Sequence, residues 1–310
     1  HRAAGSPREA PAMTPAGTVQ LDLPRITATL QRGVRRVAAF MSLGLNAARS
    51  ATPASLELAP ADTRYHFIPT NLSHEAVAHI ADEFQLWILT NGVRELCAFL
   101  ERYLHDLYLA AALISLSQGG RLPPDAPVPT VPTAFEHTGI GRKLELLRET
   151  FGIDAPHSDC LSTFWDARNC LVHRLGLVGP KDLVGGREHL LVKWIGLDLW
   201  LHPVGGEPQL MPLDLGEGIF LRDGGEVQAR TVERLLTFEL GHQVGFTAHQ
   251  LSEMLVTALG QCEALMQSLH ALAASKGLLD NPPPATSASS DSGSPAPRAG
   301  TTIHEGEQRE

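Results

Sequence analysis

A stretch near the middle of the chain places an arginine, an asparagine and a histidine at spacings that can serve chemistry. Within residues 165–176, Arg168 lies five residues before His173, and Asn169 lies one helical turn before it. On a helix, Arg168 and His173 are about 7.5 Å apart along the axis and about 140° apart around it, so they flank one groove. A guanidinium can hold a phosphodiester, and an imidazole can transfer protons near neutral pH. The pattern therefore indicates chemistry on a phosphate group.

The residues around this group predict the helix that must position it. Apolar residues recur at intervals of three and four, as on a helix that is buried along one side: Leu161, Phe164, Trp165, Leu171, Val172 and Leu175. A polar stripe of Asp166, Asn169 and His173 runs beside them. Asn169 can orient the imidazole ring or contact nucleic acid directly. We expect Gly176 to end the helix.

The spacing of Arg and His alone is weak, because a chain of this composition contains roughly three such pairs by chance. The pair Arg298 and His304, in the C-terminal tail, is one example. What distinguishes the first pair is its context: Asn follows Arg directly, two apolar residues precede the His, and a Gly follows three residues later.

In this context, the segment Ala-Arg168-Asn169-Cys-Leu-Val-His173-Arg-Leu-Gly resembles the signature of the HEPN superfamily. This superfamily comprises the all-α domains of many metal-independent endoribonucleases and prokaryotic defence proteins. The resemblance extends over roughly residues 74–275, because residues 84–104, 140–153 and 237–269 look like the helices that flank the motif in larger bacterial members. One departure is Leu175, at a position where toxins paired with nucleotidyltransferase antitoxins often have Tyr.

The resemblance implies a homodimer, joined through the motif helices, that cleaves single-stranded RNA without a metal or other cofactor. Arg168, His173 and Asn169 would be catalytic, and Arg174 and Asp166 would bind substrate. An antitoxin or operon partner is not identified by the sequence. Two alternatives stay open: a non-catalytic module that binds RNA or nucleotide or only dimerises, and a structural role. In the structural role Arg168 pairs with Asp166 or with a distant acid, and His173 caps the helix end.

The expected fold is mainly α, an antiparallel HEPN-like helical bundle with a small inserted antiparallel β-meander. Paired glycines at 185–186, 205–206 and 224–225 separate strand-like segments, which include residues 190–201, 218–221 and 227–231. The predicted organisation is a disordered N-terminal segment 1–20, a bundle 21–180 with the motif helix, a β insertion 181–236, a returning terminal helix 237–279 and a disordered tail 280–310.

The sequence also predicts the boundaries of two earlier helices. Apolar spacing indicates a first helix over residues 23–49. Ser73 is a predicted N-cap for a second helix from His74 to about residue 117. Because this length exceeds that of a typical globular helix, we expect a bend or break near Asn91-Gly92.

Composition limits the classes of function. The formal net charge of −9 argues against broad coating of nucleic acid, although a local cationic cleft is compatible with it. The four cysteines form no Cys-x-x-Cys pair, and no signal peptide or membrane span is evident, so a cytoplasmic location is expected. His74 and His79 are five residues apart and do not match the spacing of zinc proteases, so no metal site is predicted.

Overall fold

A computed structural model describes residues 21–56, 72–117, 122–123, 128–183, 187–211 and 224–279. These residues form a mainly helical protein with six α-helices and a small three-stranded antiparallel sheet. The segments predicted to be disordered, 1–20 and 280–310, lie outside the described residues, as does the predicted strand 218–221.

The helices begin and end close to the residues that the sequence indicates. Their bounds are α1 Leu23–Arg49, α2 His74–Leu116, α3 Thr133–Glu136, α4 Ile140–Phe151, α5 Ser158–His173 and α6 Ala248–Ser275. Side-chain caps start three of them: Asp22 accepts a hydrogen bond from the Arg25 amide, and Ser73 accepts one from the Ala76 amide. A reciprocal capping box of Thr247 and Gln250 starts α6.

The first two helices pack closely because glycines lie at their contact. A Cβ on Gly33 of α1 would be 2.2 Å from the Phe99 ring of α2, and one on Gly44 would be 2.6 Å from Ile88 Cδ1. Residue numbers rise along one helix as they fall along the other, so α1 and α2 are antiparallel. Helices α2, α4, α5 and α6 enclose the rest of one continuous apolar core.

The structure shows no break in α2 at Asn91-Gly92, so the break expected there is absent. A Cβ on Gly92 would be 2.6 Å from Leu251 Cδ2 of α6 and 3.4 Å from Val37 of α1. Gly92 is therefore a point of close helix contact. The packing of α1 and α6 against α2 supports the unusual length of this helix.

The sheet differs from the predicted meander in its strand order. Strands β1 Leu190–Pro203, β2 Gln209–Leu210 and β3 Gly225–Phe238 are arranged β2-β1-β3, so β1 is central. β1 and β3 pair over their whole length, from Leu190 opposite Phe238 to Pro203 opposite Gly225. β3 includes Thr237 and Phe238, so the predicted segment 237–279 begins within the sheet, whereas its helix starts as its apolar spacing predicts, at Ala248 with Thr247 as N-cap.

The half of β1 nearest the bundle is joined to α5 and α6 by side chains. Thr163 of α5 accepts a hydrogen bond from the Lys193 amide at 3.0 Å, and Thr257 of α6 accepts one from the Ile195 amide at 3.0 Å. The buried carboxylate of Glu253 accepts bonds from the Trp194 indole at 2.7 Å and from the Leu197 amide at 3.3 Å. The three amide bonds satisfy backbone N–H groups of β1 that pair with no described strand. The sheet is thereby fixed to the motif helix.

None of the described helices combines the length and the apolar character that a membrane crossing requires.

Candidate functional site

The candidate site lies on α5, which is a single uninterrupted helix from Ser158 to His173. One side of this helix is fully buried, with Leu161, Phe164, Ala167 and Cys170 in the core. Arg168 and Asn169 are half-buried, and His173 is exposed at the last helical residue. The structure therefore places the three predicted catalytic residues on one helix, with its apolar side fixing the orientation of the helix.

The Arg168 guanidinium is held by contacts within the same helix. It lies over the Trp165 ring, with Cζ 4.5 Å from the ring centroid, and its Nη1 donates to the Asn169 Oδ1 at 3.1 Å. Trp165 in turn lies against Gly139, where a Cβ would be 2.6 Å from the indole Nε1. No acidic side chain of the described residues forms an ion pair with Arg168. A stacked guanidinium without a carboxylate partner keeps its charge available to an anion.

A buried cysteine near Arg168 is not a candidate nucleophile. Cys97 of α2 is completely buried, and its Sγ donates to the Phe164 carbonyl at 3.5 Å. Burial raises the pKa of this thiol, and the nearby positive charge of Arg168 opposes that rise only in part. Cys97 therefore stays protonated and acts as a core residue, since a thiol must ionise to be a nucleophile.

The His173 imidazole has no hydrogen bond or ion pair with the described part of the chain. The expectation that Asn169 would orient this ring is not met by a bond between them in the described residues, because the Asn169 Oδ1 accepts from Arg168. No bond within the described residues fixes the orientation or the tautomer of the ring, and a substrate or a second copy of the chain could do so.

The two predicted substrate-binding residues both take part in ion pairs within the chain. Asp166 pairs with Arg187 at 3.3 Å. Burial raises the pKa of the Asp166 carboxyl, and the charge of Arg187 opposes that rise. Arg174 binds the buried Asp182 through both carboxylate oxygens, with Nε 2.5 Å from Oδ2. Arg174 thus anchors the segment that follows the helix, and its role in substrate binding stays a prediction.

The chain leaves α5 through an unusual backbone conformation. Leu175 has φ +54° and is 86% exposed, and Gly176 follows with φ +85°. The Gly176 amide donates to the Cys170 carbonyl at 3.2 Å, so the chain turns back at the end of the helix. The Val244 amide donates to the Gly176 carbonyl at 2.8 Å, and the Gln243 side chain donates to the Leu175 carbonyl at 2.9 Å. The segment 241–244 therefore holds the histidine end of α5 in place.

The sequence interpretation did not assign the residues that position this site. Trp165 lies three residues before Arg168 on the same helix, so the spacing alone was sufficient to suggest their contact. Arg187, Asp182 and Gln243 contact the motif helix or its end from outside the helix. Nothing in the local sequence marks these three residues as partners of the motif.

In the parts of the chain that the structure describes, no three His, Cys, Asp or Glu side chains converge as a metal site requires. A scan against models of protein families, a search of curated proteins and a search of solved structures each found no match.

Proposed function

We propose that the protein is a metal-independent endoribonuclease with a HEPN-like helical bundle. It acts in the cytoplasm as a homodimer whose two motif helices form one composite site. The observation that supports this proposal most directly is that one helix carries a guanidinium and an imidazole that both lack an acidic partner among the described residues. Arg168 is stacked on Trp165, donates to Asn169 and forms no ion pair with an acidic residue of the described chain. His173 is exposed and forms no hydrogen bond or ion pair with the described residues.

The two groups have complementary roles in RNA cleavage. The ribose 2′-hydroxyl attacks the adjacent phosphorus, its proton passes to a base, and the bond from phosphorus to the 5′-oxygen breaks. One imidazole accepts the first proton, and the His173 of a second copy donates a proton to the leaving 5′-oxygen. Arg168 stabilises the negative charge that develops on the phosphorus oxygens. The products are a 2′,3′-cyclic phosphate and a 5′-hydroxyl.

The second copy is part of the proposal for a geometric reason. On one helix, Arg168 and His173 are separated by about 140° around the axis, so one copy of the chain offers a phosphate a single proton-transfer group, the His173 imidazole. The cleavage step uses two such groups, one base and one acid. Two helices side by side supply two histidines and two arginines to the same strand. The structure leaves His173 exposed, as such an arrangement requires.

A second candidate function is a non-catalytic module that binds RNA or nucleotide. Two observations favour it: Asp166 and Arg174 are engaged in ion pairs, and no described residue fixes the tautomer of His173. Under this interpretation Arg168 holds a phosphate and His173 adds a second contact, with no bond broken.

The test is incubation of the purified protein with end-labelled single-stranded RNA in the presence of a chelator. We expect cleavage to leave a 2′,3′-cyclic phosphate and to fall by at least about 100-fold in Arg168→Ala and in His173→Gln. The matched controls are Arg148→Ala, an exposed arginine of α4, and His157→Ala, an exposed histidine at the other end of α5. Both controls should keep full activity.

The remaining outcomes separate the two candidates. RNA binding that is weakened by Arg168→Ala, without cleavage by any variant, would establish the binding module and overturn the enzyme. Cleavage that persists in both site variants would place the activity elsewhere. Absence of both cleavage and binding would overturn both proposals.

A further inference from the structure

Among the described residues, no strand covers the outer edge of β3 over the half of the strand that lies farthest from the bundle. β3 pairs with β1 on one side, and no strand of the described residues pairs with its other side. Residues 225–231 are all exposed, whereas alternate residues from 232 onwards are partly covered. Unpaired amide and carbonyl groups on an exposed strand edge can accept a further strand.

The hydrogen bonds of the sheet show which residues of β3 face outward. The Met211 amide donates to the Leu199 carbonyl, so the odd-numbered residues of β1 point their backbone groups toward β2 and the even-numbered ones toward β3. Trp200 is paired with Gln228, so the even-numbered residues of β3 face β1. The backbone groups of residues 225, 227, 229 and 231 therefore point to the open edge.

In one register of pairing between two copies of this half-strand, residues 225–231, each charged side chain lies opposite one of the other sign. When two copies pair antiparallel about a two-fold axis through Gln228, Glu226 of each lies opposite Arg230 of the other. Opposite charges at directly opposed positions stabilise strand pairing. If the two-fold axis passed through residue 230, the two copies of Arg230 would face each other. In that register Glu226 would lie opposite Arg234, which already forms ion pairs with Glu253 and Asp198.

We infer that residues 225–231 of β3 form an interface with a second copy of this chain, with Gln228 on the two-fold axis. Residues 227 and 229 exchange backbone hydrogen bonds with residues 229 and 227 of the second copy, and residues 225 and 231 do the same. Arg230 lies over the Trp200 ring, with Cζ 5.1 Å from the centroid, and its Nε and Nη2 donate to Gln228 Oε1 at 3.0 and 2.8 Å, so its charge lies beside the edge. This interface is separate from the motif helix, and the inference does not rest on the proposed function.

The test uses a cysteine on the axis. In the proposed register the two copies of residue 228 form a non-hydrogen-bonded pair, whose Cα atoms are about 4.5 Å apart, within the range for a disulfide. The four native cysteines are buried and do not compete. We expect Gln228→Cys to form a disulfide-linked dimer under mild oxidation on a non-reducing gel. Leu210→Cys, an exposed position on β2, should stay monomeric on that gel.

A charge exchange tests the register. In the Gln228→Cys background, Arg230→Glu should lower the yield of linked dimer by about tenfold, because it opposes two pairs of like charges. Adding Glu226→Arg should restore the yield. The interface is overturned if Gln228→Cys stays monomeric or links no better than Leu210→Cys, and the register is overturned if the charge exchange has no effect. RNA cleavage plays no part in these readouts.

Discussion

At the scale of single residues, the most informative feature is the leucine that follows the motif helix. A β-carbon is crowded when φ is positive, so such a conformation costs a leucine about 1–2 kcal/mol. Leu175 adopts it with 86% of its surface exposed, so no burial of the side chain offsets the cost. The bonds from segment 241–244 hold it there. Leu175 lies two residues from His173, which places an exposed apolar side chain beside the candidate site.

Replacing this leucine by glycine should therefore stabilise the protein. For Leu175→Gly we expect the free energy of unfolding to rise by about 1 kcal/mol, because glycine tolerates positive φ. Chemical denaturation measures the change. The matched control is Leu177→Gly, an exposed leucine whose φ is not positive, which should lose about 0.5–1 kcal/mol. A loss of stability in Leu175→Gly would show that the side chain itself contributes to the fold.

At the scale of elements, the sequence predicted the bounds of helices, which depend on nearby residues, but it did not predict the order of the strands in the sheet. The predicted bounds 23–49 and the predicted N-cap Ser73 agree with α1 and α2, because caps and apolar spacing act within a few residues. The uninterrupted passage of α2 through Gly92 depends on Leu251, which is far away in the sequence. The central place of β1 likewise depends on pairing between distant segments. The same distinction separates Arg168, whose stacking partner is three residues away, from Arg174, whose partner Asp182 lies outside the helix.

The close contact of α1 with α2 gives a prediction at this scale. Gly33→Ala should lower the free energy of unfolding by about 1–3 kcal/mol, because the new methyl group meets a rigid Phe99 ring at 2.2 Å. Gly260→Ala is the matched control, since Gly260 also lies inside a helix but faces open space. There the change should add about 0.5–1 kcal/mol through helix propensity. Thermal or chemical denaturation measures both changes, and equal effects would contradict the proposed contact.

At the scale of the whole molecule, Glu253 joins the sheet to the bundle. Besides Trp194 and Leu197, it binds Arg234 of β3 at 3.0 Å, and His249 of its own helix lies 3.4 Å away. Burial alone would raise the pKa of this carboxyl. The indole and guanidinium hydrogen bonds, with the charges of Arg234 and His249, outweigh burial and lower the pKa below its ordinary value of 4.5.

This lowered pKa makes stability depend on pH in a definite direction. Because the folded state holds the proton less tightly than the unfolded state, the contribution of Glu253 is present above about pH 4.5 and is lost as pH falls through the folded pKa. Glu253→Gln should lower the free energy of unfolding by about 2 kcal/mol at neutral pH and should weaken its decline in acid. Denaturation at several pH values measures both effects. Glu233→Gln, at an exposed position of β3 where the carboxylate makes only a 3.9 Å surface ion pair with Lys193 among the described residues, is the control and should change the free energy of unfolding by less than about 0.5 kcal/mol at any pH.

The side-chain bonds to β1 also limit how far the sheet can extend from one copy to the next. Thr163, Thr257 and Glu253 occupy the backbone groups of β1 on the side where a further strand would otherwise bind. Beyond them, that side of the described sheet ends in β2, which is only two residues long. Growth of a continuous sheet from copy to copy needs two long open edges on each chain, and among the strands that the structure describes only β3 supplies one. Association through β3 should therefore stop at a closed pair and should not continue into fibres.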